Sequence, residues 1–199
     1  MRFHEKFTTF EIFGVGWRRL RLRGSLMLAI GALLAFASLF NPKLTIMHGD
    51  DFSLLPLSGI VLLAVGLLES FDAYIAKESK DFFLSLQNAI LDVVVAILII
   101  FSLGDKPEKL APLIAAFLII KGIYRTIITY AMPSTNGTSA RITAGISIFL
   151  GLLVWREWPS SAGYILAFCL SAEIAMRGWA LLKFADVLMA QEAQEYTNP

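Results

Sequence analysis

The 199-residue sequence is poor in the groups that carry catalytic or metal chemistry, with one cysteine and two histidines. Cys169 has no partner in the chain. An intrachain disulfide is therefore excluded, and the sequence is silent about redox compartment. His4 precedes the first apolar block and His48 lies between the first two. A haem held by two histidines within spans, and a His-rich copper or zinc centre, are therefore excluded. His48-Gly49-Asp50-Asp51 reads more readily as a solvated turn than as a surface cation site. Gly14-Val15-Gly16 and the glycines from Gly145 to Gly151 lack the strand–turn–helix setting of a nucleotide loop. No Gly-x-Ser-x-Gly nucleophile elbow occurs. The sequence thus predicts no catalytic residue, no cofactor and no metal, hence a protein that is not an enzyme. Charge is scarce too, at 17% of residues. Soluble domains average roughly 25%. The net charge of +1 offers no bulk attraction to nucleic acid.

What the chain has instead is apolar sequence in long blocks, with 57% hydrophobic residues overall. A membrane span needs about 20 mostly apolar residues. Six such blocks occur: Gly24–Phe40, Leu54–Tyr74, Phe82–Gly104, Leu110–Met132, Ile142–Trp158 and Ser160–Phe184. Turn and charge signals separate them, including Asn41-Pro42-Lys43, Gly104-Asp105-Lys106-Pro107 and Pro159-Ser160-Ser161. The blocks are too long, and alternate too little, for barrel strands. The expected fold is all-α: a polytopic bundle of six transmembrane helices in three hairpins, 24–74, 82–132 and 142–184. No cleavable signal peptide is expected, since mixed residues including Glu5 and Glu11 precede the first block.

Basic residues set the expected orientation. With the N-terminus in the cytoplasm, Arg2, Lys6, Arg18, Arg19, Arg21, Arg23, Lys77, Lys80, Arg141 and Lys183 lie inside; Lys43, Lys106, Lys109 and Arg156 lie outside. Ten against four predicts cytoplasmic termini, with residues 185–199 as a cytoplasmic tail. Residues 1–23 have their own pattern. Phe3, Phe7, Phe10, Phe13 and Trp17 form one helical stripe, with Arg2, Glu5, Lys6 and Glu11 off it. Such a helix either lies along the membrane interface or docks another protein.

The even-numbered spans share a pattern: Gly66-Leu67-Leu68-Glu69, Gly122-Ile123-Tyr124-Arg125 and Ile174-Ala175-Met176-Arg177. Matching copies stand 56 and then 52 residues apart, with the glycine lost from the third. This alignment equates Glu69, Arg125 and Arg177, and one turn earlier Val65, Lys121 and Glu173. The third span adds Asp92, with Asn88 and Ser85 on its face. Three acids and three bases thus fall within spans, where each is costly by about 2.5 to 3.5 kcal/mol at a helix centre. Two readings stay open for Glu69, Asp92, Lys121, Arg125, Glu173 and Arg177. They form a paired network that fixes register or reaches the headgroups, or they form a polar relay or substrate path. Small residues at four-residue spacing (Gly31 and Ala35, Ser147 and Gly151, Gly163 and Ala167, Ser171 and Ala175) are expected to let helices approach closely.

Glycines along the first helix of a hairpin, a proline at its end and Gly-x-x-[Glu/Arg] on the second resemble the HdeD-like family of small six-helix bacterial membrane proteins. The last hairpin carries most of the likeness, through Thr143-Ala144-Gly145-Ile146-Ser147-Ile148-Phe149-Leu150-Gly151, Pro159 and Arg177; Pro107 and Pro42 mark the other two. The resemblance implies an inner-membrane location and an association with acid resistance, with no established chemistry. Lys121, Glu173, Asp92 and the phenylalanine-rich N-terminal helix depart from it. Three function classes follow: an HdeD-like stress-associated protein acting through lipid and helix contacts, an accessory subunit of a larger membrane complex or self-assembly, and a small transporter or proton-linked channel.

Overall fold

A computed structural model of the chain describes residues 17–40, 54–75, 79–102, 107–131, 137–157 and 163–197. Phe3, Phe7, Phe10 and Phe13, and with them the aromatic N-terminal stripe, lie outside the described residues, as do all five connections between helices and the Ser85 side chain. The described residues form six α-helices and no strand: α1 (Trp17–Phe40), α2 (Leu55–Ile75), α3 (Ser79–Phe101), α4 (Pro107–Ala131), α5 (Gly137–Glu157) and α6 (Gly163–Thr197).

Four of these are long and apolar enough to cross a membrane, over Trp17–Phe40, Lys109–Tyr130, Thr138–Glu157 and Gly163–Ala190. Large apolar side chains such as Leu33, Phe36, Phe71, Ile127 and Phe149 point outward. That is their place where lipid is the solvent. The chain reads as a membrane protein.

Local chemistry accounts for the helices and their ends. Pro107 opens α4 and Pro56 stands second in α2. At such positions a missing N–H leaves no intrahelical bond unmade. Several hydroxyls inside the helices find partners on their own backbone. Ser70 donates to the Gly66 carbonyl at 3.0 Å and Thr126 to that of Gly122 at 2.9 Å. Thr129 donates to Arg125 at 2.7 Å, and Thr143 to Ser139 at 2.7 Å.

Most helix bounds fall within about five residues of the expected spans, and two differ by more. Helix α1 starts at Trp17 rather than Gly24, because nothing between Trp17 and Gly24 breaks a helix. Hydropathy falls at Arg18, Arg19, Arg21 and Arg23, but arginine is a good helix former. Helix α6 likewise passes Phe184 without a break and runs for 35 residues. An α-helix of that length spans roughly 50 Å. The hydrocarbon core of a bilayer is thinner, about 30 Å.

The closest helix pairs are α1 with α6, α2 with α3, and α4 with α5. Within each expected hairpin the two helices pack less closely. Glycines let these pairs approach closely. A Cβ on Gly31 would stand 2.5 Å from the Ala175 amide nitrogen, one on Gly66 3.1 Å from that of Val93, and one on Gly122 2.9 Å from that of Ile148. A Cβ on Gly178 would stand 2.7 Å from the Gly24 carbonyl oxygen. Gly66, Gly122 and Gly178 are therefore equivalent crossing points, each 56 residues from the next. Matched on these close approaches rather than on the charges, Gly178 would take the place of Gly66 and Gly122, and Arg177 would fall opposite Lys121 rather than Arg125. All three pairs are antiparallel, and α6 sits at the centre, touching α1, α2, α4 and α5.

The candidate site: a charge network shared by six helices

Arg23, Glu69, Arg125 and Arg177 lie toward the end of the bundle where α1 begins and α6 finishes, called here the terminal end. Asp92, Lys121 and Glu173 lie deeper, near mid-bundle. These three are buried almost completely, and Arg177 nearly so. Desolvating charge is favourable only when partners replace water. Here they do.

Lys121 on α4 donates to Asp92 Oδ1 on α3, and its ammonium also stands 4.7 Å from the centroid of the Phe117 ring. Arg177 on α6 donates to the second oxygen, Asp92 Oδ2, at 2.5 Å. The same guanidinium reaches Glu69 on α2 at 3.1 Å. Glu69 in turn stands 3.8 Å from Arg23 on α1. One turn from Arg177, Glu173 pairs with Arg125 on α4 at 2.9 Å. The Ser147 hydroxyl on α5 lies 2.5 Å from Glu173 Oε2 and 3.3 Å from Arg125 Nη1. It also lies 3.0 Å from the Thr143 carbonyl oxygen. That carbonyl competes with Glu173 for the one hydroxyl proton.

Each helix thus contributes at least one member. The four-residue steps from Lys121 to Arg125 and from Glu173 to Arg177 place both residues of each pair on one helix face. On α6 they divide the work: Arg177 serves α2 and α3, whereas Glu173 serves α4 and α5. Both Asp92 oxygens are used, by different cations from different helices. A carboxylate held this way fixes the spacing and rotation of α3, α4 and α6 at once.

The six charged residues picked out in the sequence all fall in this constellation. Trp17 does not; it stands at the first turn of α1, with the Arg18 guanidinium 5.3 Å from its ring centroid. The structure adds two members that the sequence pattern does not single out. Arg23 belongs by sequence to the basic residues ahead of the first span. Its separate role is visible only because it is half-buried while Arg18, Arg19 and Arg21 are exposed. Adding it makes the set four cations and three acids, so the neutrality counted within the spans does not hold for the network. Ser147 reads by spacing as a small packing residue only. Its one signal is a hydroxyl one turn after Thr143 on the same face.

Toward the opposite end of the bundle the interior is aliphatic. Leu55, Leu62, Ile99, Ile114, Leu118, Leu166 and Leu170 are fully buried. The polar exceptions there among the described residues are Ser38 and a hydroxyl pair, Ser58 and Ser171, whose oxygens are 2.9 Å apart. Among the described residues, no group of three or more His, Cys, Asp or Glu side chains is placed to hold a metal ion. The chain matches no family model, no curated protein and no solved structure, so the geometry of this network carries the functional reading.

Proposed function

We propose that the chain is a non-enzymatic, multi-pass membrane protein of six spans, HdeD-like in character, that works structurally through helix and lipid contacts. On this reading its charges lock helix register. The single observation that carries it is that two adjacent ion-paired clusters, Arg23–Glu69–Arg177–Asp92–Lys121 and Arg125–Glu173 with the Ser147 hydroxyl, together draw on all six helices. In hydrocarbon a charged side chain gains most by meeting its opposite, and six helices without a hydrophobic force between them need specific polar contacts to choose partners. The ten-to-four distribution of basic residues supports cytoplasmic termini in an inner membrane, and the family resemblance extends the reading to a stress-associated role.

A second reading, a proton- or solute-linked pathway, is favoured by one feature. Ion pairs run from partly exposed Arg23 and Glu69 through Arg177 inward to fully buried Asp92 and Lys121. The aliphatic layer beyond them argues against a continuous path. Measuring thermal stability in detergent and flux in liposomes on the same variants separates the two. Loss of stability on removing a single charge supports the structural reading; stable variants that lose flux would replace it with the second. Topology is tested independently by reporter fusions at residue 48 and at the C-terminus, which are expected to report opposite sides.

A further inference from the structure

One face of α1 has the shape of a phospholipid contact. Arg18, Arg19 and Arg21 are exposed in its first two turns, whereas Arg23 is turned inward to Glu69. Below them, at helical spacing, runs a stripe of outward apolar side chains: Leu22 at 65% exposure, Leu26 at 58%, Ile30 at 43% and Leu33 at 69%. The opposite face, with Met27, Gly31 and Leu34, is buried, and Gly24 and Gly31 lie against α6. The exposed stripe is therefore not the packing surface of α1 within the bundle. It carries cations at one end and hydrocarbon along the rest.

We propose that Arg18, Arg19 and Arg21, with the apolar stripe beneath them, form a binding surface for an anionic phospholipid. The proposal rests on the membrane reading above. Guanidinium groups match phosphate oxygens in charge and in donor geometry. The apolar residues accept the acyl chains of the same molecule, which free phosphate lacks. Trp17 stands beside Arg18. An amphipathic ring there suits the headgroup level. At the opposite end the exposed basic residues described are Lys109 and Arg156, on different helices, and Arg156 has Glu157 beside it. Among the described residues the triple-arginine turn has no counterpart there.

The test uses the full chain purified in a neutral detergent, with phosphatidylglycerol, phosphatidylcholine of the same acyl chains, and sodium phosphate as probes. Bound lipid is counted by native mass spectrometry, and the unfolding midpoint is followed during titration. Phosphatidylglycerol is expected to be retained and to raise the midpoint, and the other two probes to do neither. Each basic residue near a charged membrane surface is worth roughly fivefold in affinity, so R18Q/R19Q/R21Q is expected to bind phosphatidylglycerol on the order of a hundredfold more weakly. K109Q, at the other end, is expected to bind as the unaltered chain does. Should the triple variant not fold, R18Q alone carries the test, with about a fivefold loss. Equal binding of the two lipids, a full effect from phosphate alone, or undiminished affinity in the arginine variants would each overturn the proposal. A chain that stays monodisperse without detergent would instead overturn the membrane reading beneath it.

Discussion

The two ends of the bundle are held by different physics. From mid-bundle to the terminal end, seven charged side chains and the Ser147 hydroxyl make directed contacts that cross between helices. Toward the opposite end, aliphatic side chains fill the interior and the Ser58–Ser171 hydroxyl pair supplies the polar contact among the described residues. Aliphatic packing tolerates exchange of one hydrocarbon shape for another of similar volume. A buried ion pair does not tolerate loss of one member, because the other is stranded. The terminal end is therefore expected to dictate which helix meets which, with the aliphatic end conforming to it.

The largest effect is expected at the residue that joins the most partners. Arg177→Leu leaves Asp92 with Lys121 alone, and leaves Glu69 with only its longer contact to Arg23. Detergent unfolding is expected to show a loss of about 3 to 5 kcal/mol, the usual cost of breaking a buried pair. Adding Glu69→Gln is expected to restore part of that, since it removes the less well-compensated acid. No restoration would mean that the two residues do not depend on one another.

Glycine crossings come next, and they sharpen the contrast because they act by shape alone. Gly31→Ala forces a methyl against the backbone of α6. Such overpacking is expected to destabilise by about 1 to 3 kcal/mol. Gly145 has open space where a Cβ would be. Its replacement by alanine is expected to be neutral or to stabilise by up to roughly 1 kcal/mol through helix propensity. Similar thermal shifts for both would break the assignment of close crossings. Ser58→Ala at the aliphatic end takes one neutral contact from Ser171 rather than orphaning a charge. It is the smallest loss expected, about 1 kcal/mol.

The helices themselves are legible in the sequence because apolar blocks of span length leave little alternative. Their ends are less so: Trp17 and Thr197 extend α1 and α6 beyond the apolar blocks, since hydropathy reports solvent preference and not where a backbone stops being helical. The six ionisable residues stand out because charge is expensive within an apolar block. Their pairing does not. Asp92 takes Lys121 and Arg177 from two other helices, a choice set by the three-dimensional arrangement, in which glycines bring α1 close to α6, α2 to α3 and α4 to α5. A linear pattern anchored on the charge and one anchored on the close glycine approaches differ by one turn in the last hairpin. Gly178, which governs the helix approach, is the better anchor.

The central claim, that the buried charges are structural partners, is tested most directly by a double-mutant cycle on Arg125 and Glu173. This pair is 2.9 Å apart, and its two members differ in burial: 17% side-chain exposure for Arg125, 1% for Glu173. Arg125→Leu strands a carboxylate that cannot reach solvent, leaving only the Ser147 hydroxyl as partner. That variant is expected to cost about 3 kcal/mol or more. Glu173→Leu strands an arginine that can still extend outward, and is expected to cost less. The double variant is expected to be more stable than Arg125→Leu alone. Strictly additive losses, or single variants as stable as the unaltered chain, would contradict the account.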